Sequence, residues 1–157
     1  MKRKILTIFT ALILLTSCGF KVIDKTSSLK YAIKNIESEG DKKVNFFIKN
    51  NLIKKFSSGY TDDYVNIKIL SNKKRAIKEK NIKNKIKKYN ISISTRFEIV
   101  FANKNIKKII NLNESGYYDV NNNKSVTTNN QNNLEKHLAR KISKQITDKI
   151  IFIINDL

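Results

Sequence analysis

The chain has 157 residues, a formal charge of +19 and a single cysteine. One cysteine excludes an internal disulfide framework, so the fold must rest on a packed core, and the length suits one domain. A charge this large points to a polyanionic partner, yet the excess is 28 Lys against 4 Arg in a chain crowded with Asn and Ile and lacking Pro. Those residues have A/T-rich codons, so genome composition accounts for the total as readily as a ligand does. Local clustering is the informative quantity.

Residues 1–17 read as a lipoprotein signal peptide. Lys2, Arg3 and Lys4 precede an apolar run from Ile5 to Leu15, too short for a helix that needs about 20 residues to span a bilayer. Leu15-Thr16-Ser17-Cys18 then closes the segment. The Cys18 thiol is the expected acceptor of a diacylglycerol, with cleavage in front of it. The alternative is a plain secretory signal with a chance cysteine. Residues 18–28 form a polar lipidated tether, and residues 29–157 form a single domain. Gly19 in place of Asp favours the outer membrane over the inner one, by resemblance to bacterial lipoproteins. Apart from the covalent lipid on Cys18, no cofactor is implied.

Leu29, Tyr31 and Ile33 alternate with polar residues and predict a short first strand. Glu39-Gly40-Asp41 breaks it, and Asp41 suits a helix N-cap. Val44, Phe47, Ile48, Asn51, Leu52 and Phe56 then recur at three- and four-residue spacing, predicting an amphipathic helix that ends at Ser57-Ser58-Gly59. Val65, Ile67 and Ile69 predict a second strand. The strictest alternation runs from Tyr89 to Phe101: Tyr89, Ile91, Ile93, Thr95, Phe97, Ile99 and Phe101 share one face. One wet face and one buried face mark a sheet antiparallel in character and covered on one side. A fourth strand is predicted over 106–120, with a bulge at Gly116.

Asn121 to Asn133 holds seven Asn and reads as a solvated loop. Asn132 and Glu135 have the spacing of a capping box. Leu134, Leu138, Ile142, Ile146, Ile150 and Ile154 then step by four along a last helix. The predicted fold class is α+β: a two-layer sandwich of order β-α-β-β-β-α, a four-stranded, mainly antiparallel sheet with two helices on one face.

The charge clusters between the second and third strands. Nine of the 17 residues from Asn72 to Lys88 are cationic and one, Glu79, is acidic. The cations are Lys73, Lys74, Arg75, Lys78, Lys80, Lys83, Lys85, Lys87 and Lys88. The segment is expected to extend the two strands into a projecting hairpin. Lysines at strand ends also block edge pairing, which is the purely structural reading. The functional reading is an anion site working by point charges rather than bidentate forks.

Catalysis finds no constellation to support it. The one histidine, His137, falls on the polar side of the last helix. Asp62-Asp63 has no nearby His or Cys to complete a metal set, and the carboxylates are few and scattered. No catalytic or metal-binding residue is assigned. Tyr60, Tyr64, Tyr117 and Tyr118 fit either core or contact surface.

Cys18-Gly19-Phe20, the element order, the Tyr89 strand followed by Phe97-Glu98-Ile99, and the polar loop leading through Asn133-Leu134-Glu135 into a long apolar helix together resemble the lipopolysaccharide-assembly lipoproteins, the LptE (RlpB) family. That resemblance implies a lipid-anchored domain on the periplasmic face of the outer membrane. It would plug and help assemble an LptD-type β-barrel and bind lipopolysaccharide, with the basic cluster in the corresponding inter-strand region. The rival reading is a free-standing periplasmic lipoprotein that holds another polyanion, DNA or anionic lipid, on its basic hairpin. Against DNA, the wet face offers few aromatics for stacking, so no nucleic acid partner is expected.

Overall fold

The alternation of Ile91, Ile93, Thr95, Phe97, Ile99 and Phe101 sets the architecture, because all six side chains are buried on one face of one strand. The computed structural model describes residues 31–56 and 63–156. Cys18, the signal peptide, the tether, Leu29 of the predicted first strand, Ser57-Ser58-Gly59, Tyr60 and Asp62 lie outside the described residues.

The elements are β1 (Tyr31–Gly40), α1 (Lys42–Phe56), β2 (Asp63–Lys80), β3 (Ile86–Phe101), a 3-10 turn (Ala102–Lys104), β4 (Ile106–Asp119) and α2 (Lys124–Asn155). The sheet order is β1-β2-β3-β4. β1 pairs parallel with β2, and the other two pairings are antiparallel. The parallel pair requires a crossover, which α1 supplies. This is the α+β, β-α-β-β-β-α sandwich that the periodicity predicts.

Asp41 caps α1: its Oδ1 accepts the Val44 amide at 2.9 Å. Val44, Ile48, Leu52 and Phe56 of α1 and Leu138, Ala139, Ile142, Ile146 and Ile150 of α2 are buried with the inner sheet face. The inner face continues Val65, Ile67 and Ile69 of β2 and Leu112 and Tyr118 of β4. Among the described residues no helix covers the other sheet face. There Asn72, Ser94 and Asn113 lie in one cross-strand row, and Lys74, Ser92 and Ser115 in the next.

Three sequence expectations need correction. The Asn-rich segment is no loop. From Lys124 onward it is the first turns of α2, a helix of 32 residues whose N-cap is Asn123, accepting the Ser125 amide at 2.8 Å. Asn132 and Glu135 are therefore interior helix positions, not a capping box. Side chains stand in for the weak helix propensity of Asn: Tyr118 donates to Gln131 and Asn130 donates to the Asp119 carbonyl. Gly116 marks no bulge. It pairs in register with Ile91, and a Cβ there would lie 2.8 Å from Leu134 Cδ1, so glycine serves the close approach of α2. The first strand is also longer than predicted, reaching Gly40, which adopts φ +95° against Ser71.

Candidate functional site: the basic hairpin

The two longest strands meet at the basic cluster. β2 and β3 stay paired out to Lys80 and Ile86, with register steps that leave Lys78 and Lys87 as extra residues. Such bulges increase local twist and re-aim side chains. The turn is closed by one residue. Asn81 Oδ1 accepts the amides of Lys83 (3.0 Å) and Lys85 (2.9 Å). The Asn81 amide donates to the Lys85 carbonyl at 2.8 Å. Asn84 takes a left-handed φ of 58°, which Asn tolerates better than most residues. The helices stop covering the inner face here, since Ile77 is already half exposed.

The nine predicted cations do not act as one group. Lys73 continues the inward phase of Val65, Ile67, Ile69 and Ser71, and its Nζ lies 3.1 Å from Asp41 Oδ2 and 3.1 Å from Glu135 Oε1. It is half-buried at the edge of the core. Burial pushes its ammonium pKa down, but the bonds to Asp41 and Glu135 outweigh burial and leave it raised. Arg75, also inward, lies over the Tyr89 ring at 4.7 Å from its centroid and contacts Gln131. Lys78 sits 3.7 Å above the Tyr117 ring centroid. Lys88 is 3.1 Å from Glu79, and the bond to that carboxylate holds its ammonium above the usual lysine range. Lys74, Lys80, Lys83, Lys85 and Lys87 are exposed and, among the described residues, form no ion pair.

The structure thus separates a solvent-facing set of five lysines from Lys73. It also adds two aromatics that the sequence left undecided. Tyr118 is core, stacked on Tyr89 at 5.6 Å. Its neighbour Tyr117 faces outward beside Lys78 and Lys88. The alternation along β4 held that distinction, given Tyr118 as the buried partner.

The interior end of the site is a polar knot. Glu135, 1% exposed, receives Lys73, Gln131 at 2.9 Å and Lys43, whose Nζ lies 2.8 Å from Oε2. Burial pushes the Glu135 carboxyl up, but the bonds from Lys43, Gln131 and Lys73 outweigh it and leave the carboxyl lowered. Asp41 behaves alike, with burial opposed by the Val44 amide and Lys73. The sequence signal for this knot was a glutamate in phase with the apolar stripe of α2.

Nothing in the hairpin gathers the groups of a catalytic centre. Among the described residues no group of three or more His, Cys, Asp or Glu could hold a metal, and His137 is exposed on α2. No helix among the described residues is long and apolar enough to cross a membrane.

No protein-family model matches the chain, and no curated protein matches it. Solved structures do share its fold. Rare lipoprotein B from Shewanella oneidensis superposes with a TM-score of 0.59 at 8% identity, over 78% of this chain and 97% of that one. A protein from Caulobacter crescentus provisionally named a lipoprotein gives 0.57 at 9% identity, over 83% and 95%. Rare lipoprotein B carries the family name that the sequence resemblance pointed to, and the fold of this chain is the fold of that structure.

Proposed function

We propose that the chain is a lipid-anchored envelope lipoprotein of the LptE kind, held through Cys18 on the periplasmic face of the outer membrane. In this reading it occupies the lumen of an LptD-type β-barrel and presents its hairpin to lipopolysaccharide. The observation that carries the reading is the pairing of a rare lipoprotein B fold with an ordered hairpin bearing Lys74, Lys80, Lys83, Lys85 and Lys87, all exposed. Lipopolysaccharide carries phosphates on sugars at its headgroup, and flexible point charges suit phosphates whose positions vary. The uncovered sheet face supports the barrel half of the reading. Its rows of Asn and Ser, with Lys74 among them, offer a hydrogen-bonding surface, which suits the polar interior of a membrane barrel.

The test is co-purification of the tagged chain from mild detergent, followed by lipopolysaccharide capture. Substituting Lys74, Lys80, Lys83, Lys85 and Lys87 by Gln lowers capture on the order of a thousand-fold or more, at about 1 kcal/mol per lysine near an anionic surface, and keeps the barrel bound. Loss of the barrel with capture intact makes the hairpin an interface and removes the ligand assignment. Recovery of the chain alone, in wild-type form, removes the barrel assignment and leaves a free-standing polyanion-binding lipoprotein.

A further inference from the structure

The apex of the hairpin carries a feature that anion binding does not need. Ile82 is fully exposed, at 101% of its reference area. A lone exposed isoleucine is ordinary on a protein surface. This one differs in its setting. It sits in a turn whose backbone is fixed by Asn81 through the amides of Lys83 and Lys85 and by the Asn81 amide to Lys85. It is therefore held outward. From Lys80 to Lys87 the only charged residues are Lys80, Lys83, Lys85 and Lys87, every one exposed.

We propose that the hairpin apex is a lipid-surface contact, in which Ile82 enters the headgroup boundary of an anionic phospholipid leaflet while Lys80, Lys83, Lys85 and Lys87 meet its phosphates. An apolar tip ringed by amines is the chemistry of an interfacial anchor: the apolar group lies at the acyl boundary and the long lysine stems reach back to the headgroups. A soluble polyanion gains nothing from Ile82. Single-stranded nucleic acid would want an aromatic for stacking, and the exposed Tyr117 already lies beneath the Lys78 ammonium.

The contact also lies at the opposite end of the sheet from Tyr31, the first of the described residues. Tyr31 pairs with Asp63, at the start of β2, whereas the apex follows Lys80 at its end. An 18-residue strand separates them by about 56 Å. The inference shares with the proposed function only the reading of the hairpin as an anion site, and it needs neither barrel nor lipopolysaccharide.

The chain contains no tryptophan, so Ile82→Trp places a single reporter at the apex, where no neighbour is disturbed. The full chain, as processed by its host, is reconstituted with vesicles of phosphatidylcholine alone or with one-third phosphatidylglycerol, free of lipopolysaccharide. On the anionic vesicles the emission shifts to the blue, and brominated acyl chains quench it roughly two-fold, as for a side chain about 5–10 Å deep. A reporter at His137→Trp stays solvent-like on both. Adding Lys80, Lys83, Lys85 and Lys87→Gln abolishes the shift at the apex. Solvent-like emission of the apex reporter on both vesicles overturns the proposal, as does an equal shift on neutral vesicles. Because lipopolysaccharide capture and barrel association are scored separately, that failure leaves the proposed function standing.

Discussion

Lys73 Nζ lies 3.1 Å from Glu135 Oε1, across 62 positions of sequence. This one bond ties β2, the strand that carries the basic hairpin, to α2, the helix that closes the core. Glu135 also holds Lys43 of α1, and Lys73 also holds Asp41 at the corner between β1 and α1. Removing the central carboxylate leaves Lys73 with Asp41 alone and Lys43 with Asn132 alone. Both lysines can swing partly into water, so the cost falls at the low end for a broken buried pair. Glu135→Ala is expected to destabilise the domain by about 3 kcal/mol in a denaturant melt. Lys74→Gln, one residue from Lys73 but outward-facing, stays within about 0.5 kcal/mol. Equal losses for the two would remove the distinction between the interior and exterior cations.

The same knot sets an acid limit. Asp41 and Glu135 both titrate below their ordinary values of 3.8 and 4.5 in the folded protein. Their stabilising contribution is complete above those values and is lost as pH falls through the lowered ones. Lys73 is shifted the other way, above 10.5, so its contribution is complete below that value and is lost as pH rises through the raised one. The expected profile is a plateau between the ordinary carboxylate and ammonium ranges with a fall on each side. Thermal melts from pH 2 to 12 check it. Glu135→Gln should blunt the acid fall, and an unchanged acid limb would show that other carboxylates govern it.

The division of the basic cluster was legible in part. Alternation of Val65, Ile67 and Ile69 already assigns the odd residues of β2 to the inner face, so extending the strand past Leu70 places Lys73 and Arg75 inward and Lys74 outward. The charge run hid that phase, because cations are ordinarily read as solvent-facing. What no periodicity could supply was the counterion. Glu135 comes from an element whose start was misplaced, as the Asn-rich run looks like a loop when propensity alone is weighed. Its helicity depends on tertiary partners such as Tyr118, whose hydroxyl reaches Gln131 at 3.1 Å.

That dependence is measurable. Asn123 caps α2 by accepting the Ser125 amide on its side chain. Asn123→Ala should cost about 1 kcal/mol. Since residues 124–130 are mostly exposed, the loss should appear first as faster amide exchange there. Residues 138–150, whose apolar positions are buried, should hardly change. Uniform acceleration along the helix would mean that the Asn-rich turns are integral to the core helix and do not fray separately.

The two glycines flanked by packed elements should respond differently to the same added methyl group. At Gly40 a Cβ would lie 1.8 Å from the Ser71 carbonyl oxygen, and φ is +95°. The obstacle is backbone in a paired strand, Asp41 bonds to that same carbonyl at 3.1 Å, and an L side chain is strained at that φ whatever the space. At Gly116 the obstacle is the far end of the Leu134 side chain, 2.8 Å away, and a partly exposed leucine can turn aside. Gly40→Ala is therefore expected to cost about 3 kcal/mol or more, in the range of severe backbone substitutions. Gly116→Ala is expected to cost about 1 kcal/mol, as a mild overpacking. Because Asp41 follows Gly40 and holds Lys73, the first change should also weaken the knot, relax the lowered carboxyls toward their ordinary values and so blunt the acid limb, which the second should leave alone. Denaturant melts of both variants at pH 7 and pH 3 separate the cases. A Gly116→Ala loss as large as that of Gly40→Ala would mean that Leu134 is fixed by its neighbours and that α2 cannot yield at this contact.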